Sequence, residues 1–189
     1  MRAYPVIRGT RTPGDRYISG MAVPGSVTEV SSFSVGDLRW ADVAKEFTPQ
    51  AGEYTGALRD LVISGVDLQG WDLAYQYLRD HYQHRFTVES FLPPPTAAEL
   101  FDKRDVPPLV VDVGGVQVFC WFYLVDRIEL SFDPREVTDE VVFSEVLGLL
   151  TGLGKAVGER AAIIYEEAPQ APVLEYDPVA DRLEYFPSE

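Results

Sequence analysis

Cysteine occurs once in this sequence, at Cys120, and histidine twice, at His81 and His84. No apolar run approaches the 18 or more residues that a membrane-spanning helix needs. A single thiol excludes any intrachain disulfide. Its place inside Val116-Gln-Val-Phe-Cys-Trp-Phe-Tyr-Leu-Val125 makes it a small buried hydrophobe whose surroundings disfavour thiolate, hence a poor nucleophile. No Gly-x-Ser-x-Gly elbow offers a serine instead. Basic residues are short too: 16 Lys and Arg stand against 30 Asp and Glu, a formal net charge of −14. A field of that sign repels phosphate backbones, so direct nucleic-acid binding is not expected, and a partner with a basic surface is attracted. Met1–Arg8 carries charges with no apolar stretch before them, so the expected location is the cytoplasm, with no membrane association.

What is present describes a chain that folds. Apolar residues make up 46% and charged residues 24%, ordinary globular values far from the disordered corner of composition. A chain of 189 residues buries roughly two thirds of its unfolded surface without metals or disulfides, so residues 1–189 are read as a single domain. The run Pro93-Pro94-Pro95 marks a possible subdivision near 93–107. Charge is unevenly spread: residues 1–20 hold Arg2, Arg8, Arg11 and Arg16 against Asp15 alone, whereas residues 126–189 hold 15 acids against five bases.

Hydrophobic period and turn chemistry give the elements. A loose β-meander with strand-like pieces at 17–23 and 27–33 precedes a short helix carrying Leu38, Trp40, Val43, Ala44 and Phe47, which ends before Thr48-Pro49. A strand over 57–66 leads to Asp67, a helix cap. Leu68, Trp71, Tyr75, Leu78 and Tyr82 then recur at three- and four-residue steps. A strand over 85–92 is stopped by the prolines, and Thr96 opens a short helix through Phe101. Gly114-Gly115 joins 109–113 to 116–125 as a primed-turn hairpin, whose second arm is expected to continue, with a kink near Asp126-Arg127, through Phe132. Because 118–125 is apolar at every position, it predicts a central strand covered on both faces. Asp133, Pro134 and Glu136 read as cap, N1 proline and capping-box acid of a helix whose stripe is Phe143, Val146, Leu147, Leu150, Leu153 and Val157. A strand over 161–165 and a hairpin of 172–176 with 182–186 close the chain. The expected fold class is α+β: an antiparallel or mixed sheet with two to three main helices packed on it.

Candidate chemistry is sparse. Gly148-Leu-Leu-Thr-Gly152-Leu-Gly154-Lys155-Ala156 departs from a phosphate loop at Leu149 and Ala156, and it ends a helix where a dinucleotide fingerprint would have to begin one. His81 and His84, three apart after Asp80, form the one concrete metal or small-ligand alternative. The acidic pairs Asp139-Glu140 and Glu166-Glu167 have the residue type for acid–base work but no distinguishing context. Aromatics interleaved with acids suit protein binding better. Trp71, Tyr75, Tyr77 and Tyr82 cannot all face one core from a single helix, so part of that aromatic surface is expected to be exposed.

Four segments, Ile128-Glu-Leu-Ser-Phe-Asp-Pro134, the helix end at Leu153-Gly154-Lys155, Ile163-Ile-Tyr-Glu-Glu167 and Val173-Leu-Glu-Tyr-Asp-Pro178, resemble bacterial immunity proteins that neutralise polymorphic toxins. They cover about the last third of the chain. The resemblance implies a small acidic cytoplasmic α+β protein without catalytic residues or cofactor, acting as a stoichiometric inhibitor that occludes a toxin's active site. Together with the charge, it makes Glu136, Asp139, Glu140, Glu145, Glu166 and Glu167 the expected partner-binding acids, with Trp71 and Tyr75 as anchors, in a monomer or small homo-oligomer. The alternatives are an enzyme using His81 and His84, and a structural subunit of a bacterial or phage assembly.

Overall fold

The computed structural model describes residues 30–48, 58–166 and 168–188. Nine strands form one sheet in the order β1-β9-β8-β7-β2-β6-β5-β4-β3, and every pair is antiparallel. In chain order the elements are β1 (Ser31–Ser34), α1 (Trp40–Phe47), β2 (Arg59–Ser64), α2 (Leu68–His81), β3 (Gln83–Phe86), α3 (Ala97–Phe101), β4 (Leu109–Val113), β5 (Val116–Leu124), β6 (Arg127–Phe132), α4 (Glu140–Val157), β7 (Ala161–Tyr165), β8 (Ala168–Asp177) and β9 (Arg182–Tyr185). This is the α+β architecture that the alternation of hairpins and helical stripes implies. Of the amino-terminal meander, only β1 lies within the described residues.

Local chemistry sets several boundaries. The Asp67 carboxylate accepts the Gly70 N–H at 2.9 Å and starts α2, and Thr96 accepts the Glu99 N–H to start α3. Gly114 and Gly115 both have positive φ, +62° and +95°, the pair of angles a primed hairpin turn demands, and Val113 pairs with Val116 across it.

All four described helices lie on one face of the sheet. Phe47 of α1 packs on Phe132, Trp71 of α2 and Phe101 of α3 pack on Phe122, and Gly154 of α4 lies on Tyr176. A Cβ at Gly154 would sit 2.8 Å from the Tyr176 ring, so the missing side chain is what lets α4 approach the sheet there. Between the layers lie Leu61, Ile63, Val118, Leu130, Phe143, Leu150 and Ile163, all essentially inaccessible. The triple-proline segment is tied to α2: Tyr75 donates its hydroxyl proton to the Pro94 carbonyl, and the Asp72 carboxylate accepts the Ala97 N–H.

Four expectations are corrected. The strand read over 85–92 spans only Gln83–Phe86: Thr87 still donates its N–H to the Pro108 carbonyl opposite it, but Pro108 has no N–H to return, so the ladder stops there and Phe91 turns back on Val88. The run 116–132 is not one kinked arm. The chain reverses at Val125-Asp126, and β6 returns antiparallel beside β5, with a register shift between Trp121 and Leu124. Asp133-Pro134-Arg-Glu136 makes a 3-10 turn, not the start of the long helix. That helix begins at Glu140, where the Asp139 carboxylate accepts the N–H groups of Val141 and Val142. Replacing Asp139 with Ala should therefore lower stability by about 1 kcal/mol, read as a shifted urea midpoint at unchanged slope. Finally, the described helices cover β5 on one face only: Val116, Val118 and Cys120 are buried, whereas on the other face Phe119 and Trp121 are partly buried and Tyr123 is 71% exposed.

Candidate functional site

Side chains alternate along a strand, so the helix-free face of the sheet is built from every second residue. On β5 these are Gln117, Phe119, Trp121 and Tyr123. The three aromatic rings stack along the strand, with Phe119 to Trp121 centroids 6.5 Å apart and Trp121 to Tyr123 5.3 Å apart, within about 22° of parallel. No described helix covers them. Trp121 lies opposite Glu129 of β6, and Phe119 opposite Ser131, which in turn pairs with Asp60 of β2.

Beside this ladder the face sinks into a depression of about 360 Å³. Trp121 and Tyr123 form one wall, and Leu58 and Ile164 the other. Ser131 is the shortest side chain in its cross-strand row, which keeps the floor low between them. The rim carries Glu129, Glu166 and Arg127. Asp60, only 6% exposed, is held at the floor by the Ser131 hydroxyl, which donates to Oδ1 at 2.7 Å. Burial pushes the Asp60 carboxyl above the ordinary aspartate range. The Ser131 hydroxyl and the Arg127 guanidinium restrain the rise, and the negative charges of Glu129 and Glu166 add to it. Glu166 accepts the Leu58 N–H at 3.0 Å. Arg127 reaches Glu129 with Nη2 at 3.1 Å, while its buried Nε has no hydrogen-bond partner among the described residues. A carboxyl perturbed by burial and like charge, in a concavity beside the partly buried Trp121 and the exposed Tyr123, marks this as the candidate binding site.

The residues singled out from sequence are dispersed. Trp71 and Tyr75 are 1% and 2% exposed and belong to the core under α2, so they cannot anchor a partner. Glu136, Asp139, Glu140 and Glu145 gather around the start of α4, on the helix-covered side. There Glu136 accepts the Gln117 N–H at 2.7 Å, Glu140 accepts the Trp40 N–H and faces Arg39, and Glu145 lies over Gly114. Glu136, Asp139 and Glu140 each accept a backbone N–H. Glu166 alone among the expected acids reaches the depression, and Glu167 lies outside the described residues.

His81 and His84 are not on one helix face, since α2 ends at His81 and His84 belongs to β3. The Nδ1 atoms of His81 and His84 lie at hydrogen-bond distance from the carbonyls of Tyr77 and Tyr82, and the His81 ring stacks on Tyr77. Among the described residues no group of three or more His, Cys, Asp or Glu has the geometry of a metal site. Gly148–Ala156 is continuous α-helix, where the backbone N–H groups a phosphate needs are already used. Burial of Cys120 in the sheet raises its thiol pKa far above neutrality.

Sequence reasoning missed Trp121, Tyr123, Asp60, Glu129 and Ser131. The signal was the two-residue spacing Phe119, Trp121, Tyr123, which places three aromatics on one face of one strand, and the lone acid Asp60 inside an apolar strand. Among the described residues no helix is long and apolar enough to cross a membrane. No known protein family matches the chain, and no curated protein or solved structure is significantly similar to it.

Proposed function

We propose that this protein acts by contact and not by turnover: a cytoplasmic, acidic, immunity-type inhibitor whose helix-free sheet face occludes a basic surface of a toxin or effector. The observation that carries this reading is the Phe119-Trp121-Tyr123 ladder, partly buried at Phe119 and Trp121 and exposed at Tyr123, beside Asp60, Glu129 and Glu166. Rigid aromatics supply apolar contact area at small entropic cost, and acids around them steer a basic partner and set its orientation. The net charge of −14 works in the same direction over longer range.

The test is a titration against the product of the adjacent gene, combined with relief of that product's toxicity. Wild type should bind tightly and protect. Trp121→Ala with Tyr123→Ala should weaken binding by about 100-fold or more, the effect of losing two central anchors, while both variants remain folded. A neighbour that is neither toxic nor bound, or a complex indifferent to both substitutions, ends this reading.

A further inference from the structure

We infer that the depression beside Trp121 is a receptor for one arginine side chain, the ligand class by which the proposed partner would be recognised; this rests on the contact reading above and sharpens it. Three carboxylates, those of Asp60, Glu129 and Glu166, surround a cavity that holds one guanidinium, Arg127. The excess is negative, and it lies where water is partly displaced by the Trp121, Leu58 and Ile164 walls, so charge interactions are less screened than on open surface.

The hydrogen-bond inventory points the same way. Asp60 uses Oδ1 for Ser131 and Glu166 uses Oε2 for Leu58; among the described residues the other oxygen of each accepts nothing. Two acceptors are therefore left lining a cavity with an indole in its wall. A guanidinium satisfies all of these at once. It is flat enough to lie on the indole, it carries five N–H donors in a fork, and it keeps its charge in a partly apolar site. An ammonium meets the charge but neither the planarity nor the fork. Arg127 opposes entry of a second cation, yet its hold on the site is a single contact to Glu129, and its Nε is unsatisfied. The incoming group is attracted by three charges and repelled by one. Asp60 sets the specificity: 6% exposed, with only its Oδ1 partnered among the described residues, its carboxylate gains most when a permanent cation arrives.

The probe is N-acetyl-arginine N-methylamide, titrated into the whole protein and followed by ¹⁵N–¹H spectra, with the indole resonance of Trp121 identified from Trp121→Phe. Shifts should gather at residues 58–60, 121–131 and 164–166, with an affinity in the millimolar range expected of one side chain. The lysine analogue should bind at least about threefold more weakly, and the citrulline analogue, equal in shape and without charge, about tenfold more weakly. Asp60→Asn should weaken arginine binding about tenfold while the midpoint of thermal unfolding stays level or rises by roughly 2–4 °C, a combination no purely structural residue shows. Equal binding of citrulline or lysine, shifts centred elsewhere, no shifts, or a fall in thermal midpoint with Asp60→Asn would each overturn the assignment. Its failure is separable from that of the contact reading. A partner bound equally by wild type and Asp60→Asn leaves contact intact without arginine recognition, and an arginine probe that titrates the depression in a protein with no partner does the reverse.

Discussion

Trp71→Ala should lower the unfolding free energy by about 3–5 kcal/mol, a large part of the 5–15 kcal/mol that holds a domain together. The Trp71 ring is 1% exposed, set edge-on to Phe101 at 5.2 Å and tilted against Phe122 at 5.4 Å, and its indole N–H donates to the Leu124 carbonyl at 3.1 Å. Truncation empties the space between α2, α3 and β5 and leaves that carbonyl without its donor. Leu124 sits at the register shift of β5, one residue after Tyr123, so the damage also reaches the strand that presents the aromatic ladder. Trp71→Phe restores much of the volume but not the N–H, and should fall between wild type and Ala. Trp121→Ala is the contrasting case: its ring, partly buried on the face that no described helix covers, should cost about 1 kcal/mol in stability and have most of its effect in binding. Equilibrium urea unfolding of the three variants separates the roles. A Trp71→Ala protein as stable as wild type but unable to bind would return the anchor role to α2.

That contrast shows where sequence was informative and where it was not. Asp67, Thr96, Gly114-Gly115 and the strand Ala161–Tyr165 are legible because each is decided within about four residues, by a cap, a positive φ or an apolar run. The start of α4 is not, because the Glu136 carboxylate that would close a capping box is taken by the Gln117 N–H of a neighbouring strand. The β5–β6 reversal is not either. It has no glycine, and neither Val125 nor Asp126 has positive φ, so it carries no turn signature. The run Val118–Val125 was misjudged for a deeper reason. Apolar residues on both faces of a strand look alike whether the second face is covered by a helix or not, and only the placement of all four described helices on one side distinguishes the two. The same ambiguity sent the anchor role to Trp71: an aromatic is equally at home in a core and in an interface, and periodicity reports the face it occupies without saying what that face meets. The acids were legible as a total and not as a site, since Asp139 caps α4, Glu136 and Glu140 accept the N–H groups of Gln117 and Trp40, and Asp60 and Glu129 lie in strands whose pattern gives no sign of a site.

The second large effect belongs to Glu46, which is 1% exposed and gathers the hydroxyls of Tyr165 and Tyr185, the latter at 3.0 Å, with the N–H and hydroxyl of Ser188 at 2.9 and 3.1 Å. Its own carbonyl accepts from Arg59 Nε at 3.1 Å, and that guanidinium lies 4.0 Å over the Tyr165 ring. One carboxylate thus ties α1 to β7, β9 and the segment after β9. Glu46→Ala should cost about 3 kcal/mol, since it strands several buried donors at once, and Glu46→Gln distinctly less, since one carbonyl oxygen remains to accept. Burial opposes the charge on Glu46, but the hydrogen bonds from Tyr165, Ser188 and Tyr185 outweigh it and hold the carboxyl below its ordinary range. The stability this provides is therefore complete above the unfolded-state value, about 4.3, and is lost as pH falls through the lower folded-state value. Asp60 runs in the opposite sense. Its raised pKa means the native state keeps a proton that the unfolded chain releases, so ionised Asp60 destabilises the fold above its folded-state value and stops doing so in acid. Unfolding free energies measured from neutral pH downward should show the Glu46→Gln deficit and the Asp60→Asn gain both shrinking, the first a loss at neutral pH and the second an advantage. A Glu46→Gln deficit that persists undiminished in acid would mean the carboxylate's charge contributes nothing and only its shape matters.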